Sequence, residues 1–202
     1  MDDITMLKDL KSRCPTEETI LRDILHPADK GADWLGHETY EWYYVLGQYF
    51  QPKRLIEIGT RFGYSLTAMC LGSNQKGIEV WSYDSERDCG GSCEYVANHY
   101  RQAKENNTLD VRFNYTVVDT RNLKRLGLPD KVDLAHVDGD HSPRGCCEDA
   151  CLVREWVRPG GVILIDDVKE GGVRFGADVF CERYKLTPQF LDCFRGLYVI
   201  RV

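Results

Sequence analysis

The sequence contains no run of about 18 consecutive apolar residues, so no membrane-spanning helix is expected. It has no block of lysines and arginines, and its formal net charge is −6, which argues against bulk attraction to nucleic acid. The opening residues, MDDITMLKDLKSRC, alternate charged and apolar side chains and lack the unbroken apolar stretch of a secretory signal, so a cytoplasmic setting is the expectation. Repeats and low-complexity linkers are missing too. At 202 residues the chain is expected to form one domain, 1–202, large enough to bury a substantial core.

Cysteine, by contrast, is plentiful, with nine residues at 14, 70, 89, 93, 146, 147, 151, 181 and 193. The odd count and the lack of a secretory signal favour reduced thiols. Cys89-x-x-x-Cys93 and Cys146-Cys147-x-x-x-Cys151 depart from the paired spacing usual for structural zinc. Both fall where helices are expected, so packing is the simpler role for thiols such as Cys70, Cys146, Cys147 and Cys151.

Hydrophobic periodicity and turn residues predict helices at 4–12, 16–25 and 37–50, the last ended before Pro52. Strand 54–58, helix 64–71, strand 78–83, helix 88–104, strand 111–117 and a short helix near 120–126 follow. Strand 132–137, helix 143–157, strand 161–166, helix 173–184 and strands near 189–194 and 197–202 complete the chain. Strands alternating with helices predict an α/β fold with a doubly wound, mostly parallel sheet and helices on both faces. Only the short turn Arg195-Gly196 separates the last two strands, so that pair should be antiparallel.

A parallel α/β sheet binds ligands at the carboxyl ends of its strands, and here each of the first five strands ends in an acid. The first runs through Glu57 into a turn, Gly59-Thr60-Arg61-Phe62-Gly63, followed by Ser65. Such a turn lets the backbone approach a nucleoside cofactor and aims the N-terminus of the next helix at an anionic group. The second ends at Asp84-Ser85, where such folds place an acid on the ribose hydroxyls. The third ends at Asp119-Thr120, suited to an adenine edge. The fourth and fifth end at Asp138-Gly139-Asp140-His141 and Asp166-Asp167. Asp138, Asp166 and Asp167 would converge, and carboxylates that close raise one another's pKa unless a cation intervenes. A hard divalent ion such as Mg²⁺ would suit them, with His141 as general base. The alternative is that Asp140 and Asp167 cap turns and His141 is a solvated loop residue. For His136, core or supporting packing is the simpler account.

These segments resemble class I S-adenosylmethionine-dependent methyltransferases over nearly the whole chain. EIGTRFGYSL is similar to the first motif of the small cation-dependent O-methyltransferases that act on catechols and caffeoyl esters. HVDGDHSPRG and GGVILIDDV resemble the metal-bearing segments of that group and of the neighbouring group that methylates macrolide sugars and includes cephalosporin hydroxylase-like proteins. The resemblance implies a Rossmann-like seven-stranded sheet. It implies S-adenosylmethionine at Glu57, Gly59, Thr60, Arg61, Gly63, Ser65, Asp84, Ser85, Asp119, Thr120 and Asp138, and Mg²⁺ or another divalent cation at Asp138, Asp166 and Asp167. His141 matches the base. Arg61 stands where the commoner motif has a glycine, and its side chain would point either at the methionine carboxylate or into an outward salt bridge. Asp167 stands where the catechol and caffeoyl enzymes have asparagine, which tilts the likeness towards the sugar-modifying group.

The activity implied is methyl transfer to a small-molecule hydroxyl. A hydroxylase-like or catalytically silent relative, and a nicotinamide-dependent oxidoreductase, are the alternatives. Residues 1–50 are expected to cap the acceptor over a cofactor-binding core at 51–202, with Trp34 and His37 as the aromatic contacts. Gly171-Gly172 would give the segment after the fifth strand hinge freedom, and Arg174 would meet an anionic group. The acceptor is not legible, and a homodimer is left open.

Overall fold

A computed structural model describes residues 3–32, 35–87, 90–123, 127–128 and 130–202. Trp34, Cys89 and the end of the helix expected near 120–126 lie outside the described residues. Three helices come first: α1 (Asp3–Lys11), α2 (Glu17–Leu21) and α3 (Thr39–Phe50). Then β1 (Arg54–Ile58), α4 (Tyr64–Ser73), β2 (Ile78–Asp84), α5 (Ser92–Glu105), β3 (Val111–Val117) and β4 (Val132–Val137) alternate. They are followed by α6 (Pro143–Arg154), β5 (Val157–Ile165), α7 (Gly171–Tyr184), β6 (Pro188–Leu191) and β7 (Leu197–Arg201).

The seven strands form one sheet in the order β3-β2-β1-β4-β5-β7-β6. All neighbours pair in parallel except β7, which runs antiparallel to both β5 and β6. Strand alternation sorts side chains between two cores. Leu55, Leu134, Leu164 and Val199 face the side covered by α1–α5. Ile56, Ala135, Ile163 and Ile200 face the side covered by α6 and α7. Cys70 packs in the first core, and Cys146, Cys147 and Cys181 in the second.

Four expectations need correction. Helix 16–25 stops at Leu21, where the Ile24 N–H turns back to the Leu21 carbonyl at 3.0 Å, and a 3-10 turn follows at Pro27–Asp29. Helix 88–104 starts only at Ser92, after Gly91 at φ 80°. Strand β5 begins at Val157, with a register shift against β4 between Val132 and Leu134. The supposed hinge at Gly171-Gly172 is the first turn of α7. Its glycines serve close approach: a Cβ on Gly172 would lie 2.8 Å from the His141 carbonyl oxygen, and one on Gly176 would lie 2.4 Å from that of Pro143. Helix α7 therefore presses against the loop that carries His141.

Helices α3 and α4 meet in the same way. A Cβ on Gly47 would lie 2.0 Å from the Met69 carbonyl oxygen, and one on Gly72 would lie 1.9 Å from that of Tyr44. This contact brings the inner face of α3 down onto the sheet beside the strand tips.

Candidate active site

A cavity of about 600 Å³ opens at the carboxyl edge of the sheet. Every residue expected at the cofactor, the metal or the base lines it, with the exception of Glu57. The turn after β1 makes its floor. Gly59 has φ 83°, and a Cβ there would lie 1.9 Å from the Asp138 carbonyl oxygen. The Asp138 N–H donates to the Ile58 carbonyl at 2.9 Å, so glycine is what lets the tips of β1 and β4 close together. Gly63, at φ 70°, caps α4. Asp84 accepts from the backbone N–H groups of Arg61 at 2.8 Å and Glu86 at 2.6 Å, which fixes its carboxylate at the tip of β2. Arg61 lines the cavity, and its Nη2 lies 3.0 Å from the buried carboxylate of Asp29.

Asp119 is held by two arginines, Arg87 Nη2 at 2.6 Å and Arg121 Nη2 at 2.6 Å. The hydrogen bond from Arg121 leads in holding its carboxyl well below the usual range. Thr120 donates to Asp149 at 2.7 Å. Both arginines also line the cavity, and nothing in their spacing marked them beforehand.

The acids of β4 and β5 gather in two groups that share Asp138, with Asp166 in one and Asp167 in the other. One oxygen or nitrogen each from Asp138, His141 and Asp167 lies within 4.8 Å of the others, and a second group of His136, Asp138 and Asp166 meets the same limit. Asp166 is pushed up to about 7, first by burial and then by the charges of Asp138 and Asp167. Asp167 adopts a left-handed backbone at φ 57° and is almost wholly buried. Burial and Asp138 raise its pKa as well. Its Oδ2 meets Arg195 Nη1 at 3.1 Å, while its buried Oδ1 has no hydrogen-bond partner. His141 Nε2 lies 3.6 Å from Asp138 and 3.4 Å from Asp167, and its Nδ1 lies 3.1 Å from Glu170. The Asp138 contact leads in raising His141 to about 9, against the opposing effect of burial.

Behind this cluster runs a buried polar chain. Ser65 Oγ donates to Glu57 Oε1 at 2.9 Å, and the same oxygen meets His136 Nδ1 at 2.9 Å. Tyr43 from α3 lies 3.1 Å from His136 Nε2 and donates to Asp166 Oδ2 at 2.5 Å. Burial opposes the charge on His136, but the hydrogen bond and charge of Glu57 prevail and raise its pKa. Glu57 is fully buried and does not line the cavity; its Oε1 serves Ser65 and His136, while its buried Oε2 has no hydrogen-bond partner.

The family model described as a methyltransferase domain matches residues 56–168. This chain belongs to the methyltransferase-domain family. Its fold is the Rossmann-like fold of the class I S-adenosylmethionine-dependent enzymes. The O-methyltransferase TomG of Streptomyces achromogenes, involved in tomaymycin synthesis and solved with SAM, is 18% identical with a TM-score of 0.66, covering 100% of this chain and 99% of that one. The O-methyltransferase of Bacillus cereus, solved with SAH, is 16% identical with a TM-score of 0.65, covering 98% of this chain and 97% of that one. At such identities the likeness is one of fold. An uncharacterized protein of Sinorhizobium fredii, y4gI, is 26% identical over 155 residues. That stretch is 73% of this chain and 16% of the larger relative.

On this methyltransferase fold, α3 and the β6–β7 turn add further residues to the cavity wall. Tyr40 and Tyr43 of α3 and Phe194 and Arg195 of the β6–β7 turn line it. His37 stacks on Phe194 with ring centroids 3.9 Å apart. Arg174, expected near an anion, points instead along α7 towards Asp178 at 4.0 Å.

Proposed function

We propose that this chain transfers the methyl group of S-adenosylmethionine to a hydroxyl oxygen of a small molecule, with a divalent cation, Mg²⁺ foremost, at Asp138, Asp166 and Asp167. The observation that carries this reading is that Asp138, Asp166, Asp167 and His141 all line the cavity, in two clusters of ligand atoms joined at Asp138. What supports the cofactor is that Gly59 lets the tips of β1 and β4 close into the cavity floor, and that Asp84 is held at the tip of β2, where this fold would need a ribose acceptor. The turn Gly59–Gly63 and Ser65 would take the methionine end, Asp84 and Ser85 the ribose, and Asp119 and Thr120 the adenine side. The family match favours this cofactor over nicotinamide.

The donor set fits a hard cation. It is rich in carboxylate oxygen, it holds a buried Oδ1 of Asp167 that has no hydrogen-bond partner, and burial together with the neighbouring carboxylates already raises Asp166. Bound there, the cation would supply Lewis acidity that lowers the pKa of the acceptor hydroxyl. The chain itself must hold the acceptor oxygen in line with the sulfonium methyl, keep water away and take up the proton. His141 Nε2, on the cavity side between Asp138 and Asp167, is placed to accept that proton in its neutral form. Phe194, which lines the cavity, is braced by its stack on His37.

The test is methyl transfer from S-adenosylmethionine across a panel of sugar, catechol and phenolic hydroxyls, with Mg²⁺ or with EDTA. Turnover that needs Mg²⁺ and is lost in both Asp138→Ala and His141→Ala, with cofactor affinity retained in His141→Ala, supports the reading. Full turnover in EDTA sinks the cation, and failure to bind S-adenosylmethionine sinks the activity.

A further inference from the structure

The carboxylate cluster is not short of positive charge. Arg195 reaches it from the turn between β6 and β7, and its Nη1 lies 3.1 Å from Asp167 Oδ2. Its charge acts on Asp138 and Asp166 as well. The turn is fixed to the end of β5: the Lys169 N–H donates to the Arg195 carbonyl at 2.8 Å and the Val168 N–H to that of Gly196 at 3.1 Å. Lys169 Nζ adds a bond to the Cys193 carbonyl at 2.6 Å. The two partners differ in freedom. The side chain of Asp167 is 3% exposed and cannot leave, whereas that of Arg195 is 47% exposed and can swing into solvent. A guanidinium at that oxygen and a divalent ion among the same acids would repel each other over a few ångströms.

We propose that Arg195 is the internal counter-ion of the cluster and competes with the divalent cation for Asp167, so that this one side chain sets cation affinity. The proposal rests on the cation reading above. With the cation absent, Arg195 keeps Asp167 paired. Cation entry brings a second positive charge against the guanidinium held at Asp167 Oδ2, so the site binds more weakly than three carboxylates alone would.

The experiment measures Mn²⁺ affinity of the full chain by electron paramagnetic resonance and calorimetry, with folding checked by circular dichroism. Arg195→Ala is expected to bind Mn²⁺ at least roughly tenfold tighter than the unaltered protein. Arg195→Lys, which keeps the charge, should stay within about threefold of the unaltered protein. In an Asp167→Asn background the Arg195→Ala effect should shrink to less than about threefold, as a double-mutant cycle demands when two residues act on each other. Should Arg195→Ala fail to fold, Arg195→Gln carries the same expectation. Equal or weaker binding in the neutral variants, or a lysine variant as tight as the alanine one, overturns the role of the charge while leaving the cation reading standing. No Mn²⁺ binding by any of the proteins overturns the cation reading and this proposal with it.

Discussion

Asp149 is 2% exposed beneath the loop that carries the site, and burial pushes its carboxyl up to about 6. A carboxyl raised on folding supports the fold while protonated: the contribution is fully present below the unfolded value near 3.8 and is lost as pH rises through about 6. Asp149→Asn, which mimics the neutral form, should therefore stabilise the protein at pH 8 by on the order of 2 kcal/mol and do little at pH 4. Urea unfolding at the two pH values reads the difference. His141 works in the same direction, because its raised pKa makes the charged form favourable below about 6.5 and that contribution fades through about 9. An NMR titration in chelator should place its midpoint near 9, and Mg²⁺ should draw it down by offsetting the carboxylates. The strand-end acids were legible from sequence because backbone position alone brings them to one edge. Tyr43 and Arg195 were not: one is an aromatic among many in α3, the other a turn residue, and only the packing of α3 and the β6–β7 turn on the strand tips gives them a partner.

At the scale of elements, the glycine contact between α3 and α4 decides where Tyr43 sits. Gly72→Ala places a Cβ 1.9 Å from the Tyr44 carbonyl oxygen, so the helices must part. The expected loss is at least about 2 kcal/mol in chemical unfolding. Tyr43→Phe leaves both helices in place and removes only the hydroxyl. It should cost about 1–3 kcal/mol by leaving Asp166 and His136 short of a partner, and lower methyl transfer with it. Element positions were largely legible because hydrophobic alternation and turn residues act locally. The errors came where a distant contact overrode local signal. Gly171 and Gly172 look like a hinge in sequence, yet they open α7, and the neighbouring His141–Pro143 segment leaves no room for a side chain at Gly172.

For the molecule as a whole, the cavity joins groups from both cores and from the N-terminal helices, so occupancy should stabilise the entire fold. S-adenosylmethionine at about 100 times its Kd should add about 2.7 kcal/mol and raise Tm by roughly 5–10 °C, while NAD at the same concentration should leave it unchanged. Differential scanning calorimetry checks both. The sheet order carries a further consequence. Strand β7 lies inside the sheet between β5 and β6, although it follows every other strand in the chain. During synthesis β5 therefore has an open edge until residues 197–201 emerge, and the tip that carries Asp166 and Asp167 waits beside it without Arg195. Residues 195–201 must therefore emerge before the chain can complete the place where its chemistry is proposed to occur.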